Sequence, residues 1–132
     1  MLYLDMSALM KLIRREPESD TLADWLDEQT AAPWVSSTLI EVELSRALRQ
    51  VEPSLLADVP AIVARVARYE VDEVVRAAAA AYPDPALRSV DAIHLATGDA
   101  VFGTQLTAFV TYDERLLTAA AAAGLPTAAP GR

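Results

Sequence analysis

The chain of 132 residues has no cysteine and only one histidine, His94. Thiolate nucleophiles, zinc fingers and disulfide scaffolds are excluded, and the absence of cysteine suits a reducing cytoplasm. A single histidine closes off His-rich metal centres and the usual Ser–His–Asp arrangements. Lysine is as scarce, with Lys11 the sole example. No apolar run approaches the ~20 residues that span a bilayer. The opening Met1-Leu2-Tyr3-Leu4 carries no basic leader and meets Asp5 too early for a signal peptide. Acids outnumber bases 19 to 11, a formal charge of −8. Chemistry in this chain must therefore run on carboxylates.

A hydrophobic fraction of 53% and a charged fraction of 23% fit one soluble globular domain over residues 1–132, without repeat or linker. Leu2–Leu4 reads as a strand, followed by a helix capped by Ser7 and running to about Arg15. Helical spacing of Leu22, Trp25 and Leu26 predicts a helix over 18–28, and Trp34-Val35-Ser36 a brief strand. Ser37 or Thr38 caps a helix to about Val51, and a further helix covers 54–68. A short strand within 68–71 and a helix from Asp72 to near Tyr82 precede the turn Pro83-Asp84-Pro85. Ser89 caps a helix to about Phe102, stopped by Gly103. Thr107–Tyr112 is a strand, Asp113 caps a last helix to about Ala123, and 125–128 adds an edge strand. Strands alternating with helices predict an α/β domain: a three-layer α/β/α sandwich around a short, mainly parallel sheet.

Such sheets bind ligands at the carboxyl ends of their strands. Asp5 follows the first strand and Asp113 the strand ending at Tyr112, so both acids face one crevice if those strands are central. Asp91 lies in the first turn of the Ser89 helix. Each also has a structural reading: a turn residue, a first-turn acid favoured by the helix dipole, and an N-cap. The helix over 38–51 carries Glu41 and Glu43 on opposite borders of its apolar stripe, and periodicity cannot choose between them.

In its motifs the chain resembles the PIN-domain family, specifically VapC-type toxins of bacterial toxin–antitoxin pairs. The resemblance is carried by Leu4-Asp5-Met6-Ser7-Ala8-Leu9, by Ser37-Thr38-Leu39-Ile40-Glu41-Val42-Glu43-Leu44-Ser45-Arg46-Ala47-Leu48, by Leu87-Arg88-Ser89-Val90-Asp91-Ala92-Ile93-His94-Leu95-Ala96 and by Val110-Thr111-Tyr112-Asp113-Glu114-Arg115-Leu116. It runs in order along the whole chain. Carried over position by position, it implies an acidic site of Asp5, Glu43, Asp91 and Asp113, with Ser7 and Thr111 as supporting polar residues. Glu43 rather than Glu41 precedes Leu in the family's Glu-Leu-x-Arg-Ala-Leu pattern. Glu114 stands near the position where many PIN domains carry a further acid.

Carboxylates about 4 Å apart repel by roughly 4 kcal/mol at an effective dielectric near 20. Clustered acids therefore need a cation, and hard oxygen ligands without His or Cys select Mg²⁺, with Mn²⁺ as the alternative. The resemblance implies an endoribonuclease hydrolysing RNA phosphodiester bonds, with Asp5 and Asp91 as direct ligands and Glu43 and Asp113 completing the shell or orienting water. It also implies a cognate antitoxin as inhibitor and a homodimer. A charge of −8 is unusual for an RNA enzyme, and it suits a basic partner. Arg46 and Arg115, next to site acids, are the candidates for RNA-backbone contact. His94 reads as a packed histidine with a satisfied hydrogen bond rather than a ligand.

Two phosphoryl-transfer folds also place acids after strands. A haloacid dehalogenase needs a second Asp where this chain has Ser7, and a receiver domain needs a lysine after its last strand. A non-catalytic PIN-like binding module is the remaining alternative.

Overall fold

The computed structural model describes residues 1–132. Its strands are β1 (Leu2–Leu4), β2 (Trp34–Ser37), β3 (Ala67–Tyr69), β4 (Ala108–Val110) and β5 (Thr127–Ala128). They form one sheet in the order β3-β2-β1-β4-β5, and every neighbouring pair is parallel. Leu2 stands opposite both Trp34 and Ala108, which puts β1 at the centre. From β1 the chain first builds outward through β2 and β3, then returns to lay β4 on the other side of β1. The β1/β4 boundary is thus the point where strand order reverses, and a crevice opens beyond the carboxyl ends there.

Side chains alternate across a strand, so β1 feeds two cores. Leu2 and Leu4 pack among the helices α1 (Met6–Ile13), α2 (Ser19–Glu28) and α3 (Ile40–Val51), through Leu9, Leu22 and Leu44. The short α4 (Val59–Arg65) joins this layer through Val59. Tyr3 points the other way, stacked on Phe109 with ring centroids 4.7 Å apart. There it meets Leu95 of α6 (Ser89–Ala96) and Leu116 of α7 (Glu114–Ala122). The alanine-rich α5 (Glu73–Ala81) packs outside α6 and buries Val75. The result is the three-layer α/β/α sandwich around a parallel sheet that the alternating pattern predicts.

Several boundaries differ from the sequence expectation. Asp5, not Ser7, caps α1, its carboxylate accepting the Ala8 N–H. The helix expected over 54–68 divides into a 3₁₀ stretch (Pro53–Asp58) and α4, because Pro60 has no N–H to continue one ladder. Strand β3 starts one residue earlier than expected and ends at Tyr69. Ser89 is already helical, and Arg88 holds the cap position without a side-chain bond to the helix backbone.

The helix expected to reach Phe102 changes at Thr97 into a π turn (Thr97–Phe102). The Thr97 hydroxyl donates to the Ile93 carbonyl at 2.7 Å, competing with the regular backbone ladder. Gly98 in this turn lets the backbone lie directly on the sheet: a Cβ there would stand 2.7 Å from two ring carbons of Phe109. No helix is long and apolar enough to cross a membrane.

Candidate active site

Chain topology brings the four acids to the reversal point from four separate segments. Asp5 lies between β1 and α1 and is almost fully buried. Its Oδ1 accepts from the Ala8 N–H at 3.0 Å and from the Ser7 hydroxyl at 2.7 Å. Oδ2 accepts from the Thr111 hydroxyl at 2.7 Å. Ser7 Oγ also accepts from the Tyr112 N–H at 2.9 Å, tying α1 to the segment after β4, and Thr111 Oγ1 accepts locally from the Asp113 N–H at 3.1 Å. Burial raises the Asp5 pKa, and the nearby His94 together with these hydrogen bonds only partly offsets the rise.

Asp113 starts α7 as Asp5 starts α1, its Oδ1 accepting the Leu116 N–H at 3.0 Å. The capping and the functional readings of these residues therefore do not compete. Each carboxylate uses Oδ1 to hold a helix and presents Oδ2 elsewhere: Asp5 to Thr111, Asp113 to Arg88 at 3.8 Å.

Asp91 is buried in the first turn of α6, with Oδ2 3.2 Å from Arg88 Nε. One guanidinium thus spans two of the acids, and Glu43 adds to the negative field around it. Arg88 is the arginine in contact with the site acids. Arg46 is exposed on α3, and Arg115 is exposed where α7 begins. Arg115 lines a hollow of about 390 Å³ with Arg88, Asp113 and Glu114.

The border acids of α3 separate cleanly. Glu41 faces outward and pairs with Arg68 at 3.3 Å, while Glu43 turns in and lies 2.6 Å from His94 Nε2. A carboxylate only accepts, so Nε2 carries the proton. His94 Nδ1 is 2.7 Å from the Tyr3 hydroxyl, which burial holds well above the ordinary phenol range and so keeps protonated. Burial opposes charge on His94, but the Glu43 hydrogen bond and the charges of Glu43, Asp5 and Asp91 outweigh it and raise its pKa. His94 is the packed, satisfied histidine expected from sequence. Its bond to a site acid, and the Arg88 bridge, were missed. Both His94 and Arg88 stand three residues from Asp91, and that i,i+3 spacing is the signal that marks them.

No three carboxylate or imidazole groups stand close enough to surround one ion. Like charges separate unless a cation lies between them, and the groups that lie among these acids are the Arg88 guanidinium and the His94 imidazole. The donor set nonetheless fits a hard divalent ion: carboxylate oxygens from four segments, one of them a buried acid whose charge is poorly solvated.

The PIN domain family matches residues 2–122. Ribonuclease VapC35 of Mycobacterium tuberculosis is 58% identical over 133 aligned residues, covering 100% of this chain and 98% of the relative. Ribonuclease VapC47 of the same organism is 40% identical, covering 99% of this chain and 98% of its own. For Ribonuclease VapC46 the identity is 40%, with 98% and 97% covered.

Proposed function

Because the chain belongs to the PIN-domain family, as its match over residues 2–122 and its full-length VapC relatives establish, we propose that it is a metal-dependent endoribonuclease. In this reading it is the toxin of a type II toxin–antitoxin pair and acts in the cytoplasm. It hydrolyses RNA phosphodiester bonds and is held in check by a cognate antitoxin. The observation that carries this is the gathering of Asp5, Glu43, Asp91 and Asp113 about His94 and Arg88 at the sheet's reversal point.

Asp5 and Asp91 would hold Mg²⁺ or Mn²⁺, with Glu43 and Asp113 completing the ligand set or orienting the attacking water. Bound there, the ion would lower the pKa of water and neutralise charge on the phosphate. The chain's own side chains do the rest. Ser7 and Thr111 fix the Asp5 carboxylate in one orientation through hydroxyl hydrogen bonds. His94 fixes Glu43. Arg88, with Arg115 at the same hollow and Arg46 on α3, supplies guanidinium groups for the RNA backbone.

A net charge of −8 also favours a basic partner. An antitoxin segment that laid a guanidinium among these acids would occupy them as Arg88 does. We further propose that the toxin is a homodimer, in keeping with its family.

Incubating the partner-free protein with total RNA and Mg²⁺ or Mn²⁺, then mapping the cut ends, tests the reading. Expected are 5′-phosphate and 3′-hydroxyl ends, lost with chelator and in Asp5→Asn or Asp91→Asn. Undiminished cutting in those variants, or none by the wild type, would overturn it.

A further inference from the structure

We infer that the cavity adjoining the acidic site is a subsite for a guanine base of the nucleotide next to the scissile phosphate; this rests on the ribonuclease reading above. The cavity measures about 750 Å³, within the ~300–1,000 Å³ range of small-ligand sites. It lies between α7 and the segment joining α5 to α6, and shares Glu114 and Arg115 with the hollow that holds Arg88 and Asp113. The arginine-bearing hollow and the apolar cavity are therefore neighbours, as a phosphate and its adjoining base are in a strand.

Leu87, Leu95 and Ala119 supply apolar wall, and Tyr82 an aromatic ring. Splayed-out bases of single-stranded RNA are held on such surfaces. The polar lining is acceptor-rich. Tyr82 donates to Asp99 Oδ2 at 3.1 Å, while Asp99 Oδ1 takes no hydrogen bond from the protein. Burial and the Asp99 charge keep the Tyr82 hydroxyl protonated, so it remains a donor that holds the carboxylate in place.

A carboxylate offers only acceptors, and guanine alone among the four bases presents adjacent donors, N1–H and the 2-amino group. Uracil sets one N–H between two carbonyls. Adenine and cytosine place an acceptor beside their amino group. A second copy of the chain suits the cavity poorly, because it too carries a charge of −8 and would meet Asp84, Asp99 and Glu114. Arg115 in the cavity wall and Arg88 in the neighbouring hollow complement a phosphodiester instead.

The test is an NMR titration of metal-free protein with the trinucleotides UGU, UIU and UUU, where I is inosine and lacks the 2-amino group. UGU should bind about 10-fold more tightly than UUU, with UIU between, as expected for hydrogen bonds donated to a charged carboxylate. Asp99→Asn should weaken the preference, and Ala122→Trp, which fills the cavity from an exposed helix position, should make the three affinities equal. Thermal melting of Ala122→Trp confirms that the variant is folded. Equal affinities in the wild type, or a preference that survives Ala122→Trp, would overturn the subsite. So would a fall in oligomer size caused by Ala122→Trp, which would assign the cavity to a second copy. Cleavage of total RNA separates the two readings. Cuts without neighbouring guanine sink the subsite and leave the nuclease standing, whereas guanine-selective binding without any cutting does the reverse.

Discussion

His94 Nε2 lies 2.6 Å from Glu43 Oε1, joining helix α6 to helix α3 inside the crevice. The same ring holds the Tyr3 hydroxyl on its other nitrogen and is only 2% exposed. Replacing it with alanine opens a cavity and strands two polar partners. His94→Ala should lose about 3 kcal/mol or more of folding stability, combining a large-to-small core change with orphaned hydrogen-bonding groups. Urea denaturation reads the loss, and a change below about 1 kcal/mol would show that the ring carries little of the packing.

Glu41 and Glu43 form a matched pair of controls on one helix. Glu41 meets only exposed Arg68 among charged partners, whereas Glu43 is in the crevice. Glu43→Gln should lower RNA cleavage on the order of 100-fold, the upper end of what loss of a metal-site partner costs. Glu41→Gln should leave the rate within about twofold and stability within about 0.5 kcal/mol, as for a surface change. Initial rates on one defined RNA distinguish them.

Arg88 neutralises Asp91 and Asp113 while its own side chain remains 69% exposed. An exposed ion pair contributes little to stability, so Arg88→Ala should melt near the wild-type temperature. Its effect belongs to the acids it releases. Calorimetric titration should show Mn²⁺ or Mg²⁺ binding more tightly to Arg88→Ala than to the wild type, with RNA binding weakened at the same time. Unchanged ion affinity would mean that the guanidinium and the ion do not compete.

Gly98 lies against Phe109, whose ring is stacked on Tyr3 and has no room to yield. Gly98→Ala should destabilise by about 1–3 kcal/mol through overpacking. Combining it with Phe109→Leu should cost less than the sum of the two single changes, because they share one contact. Strict additivity in a denaturant-based double-mutant cycle would refute that account.

A titratable tie lies outside the crevice. Lys11 Nζ donates to Glu16 at 2.8 Å and to Glu18 at 2.9 Å. Burial opposes charge on Lys11, but these bonds outweigh it and raise its pKa, while the Lys11 bond lowers that of Glu18. The lowered carboxylate favours folding above its unfolded value of about 4.3, and that contribution is lost as pH falls through the lower folded value. The raised amine favours folding below about 10.4 and is lost as pH rises through its higher folded value. The stability gap between wild type and Lys11→Met should therefore be widest near neutrality and narrow at about pH 3, as measured by urea unfolding at both. Lys11 Nζ also lies 4.6 Å from the centre of the Tyr112 ring, and a gap independent of pH would assign the loss to that contact.

Local pattern sufficed for the sandwich, because alternation of strands and helices and the apolar stripes are properties of neighbours in sequence. It also located Asp5 and Asp113 at strand ends. Whether Glu41 or Glu43 faces inward was not a local matter: both border the stripe, and the choice depends on Arg68 and His94, which come from other segments. The resemblance to a family supplied it. Ser7 misled because it has the right type for a cap but stands two residues late, and the hydroxyl serves Asp5 and the Tyr112 N–H instead. The bond from Tyr3 through His94 to Glu43 crosses 91 and then 51 positions, beyond the reach of any periodicity.

Asp5 and Asp113 each spend one oxygen on a backbone N–H at the start of a helix. Their side chains are consequently locked when those first turns nucleate, ahead of any encounter with a ligand. If the proposed nuclease reading holds, alignment of these oxygens is a by-product of folding, and less rotameric freedom remains to be surrendered when an ion is bound.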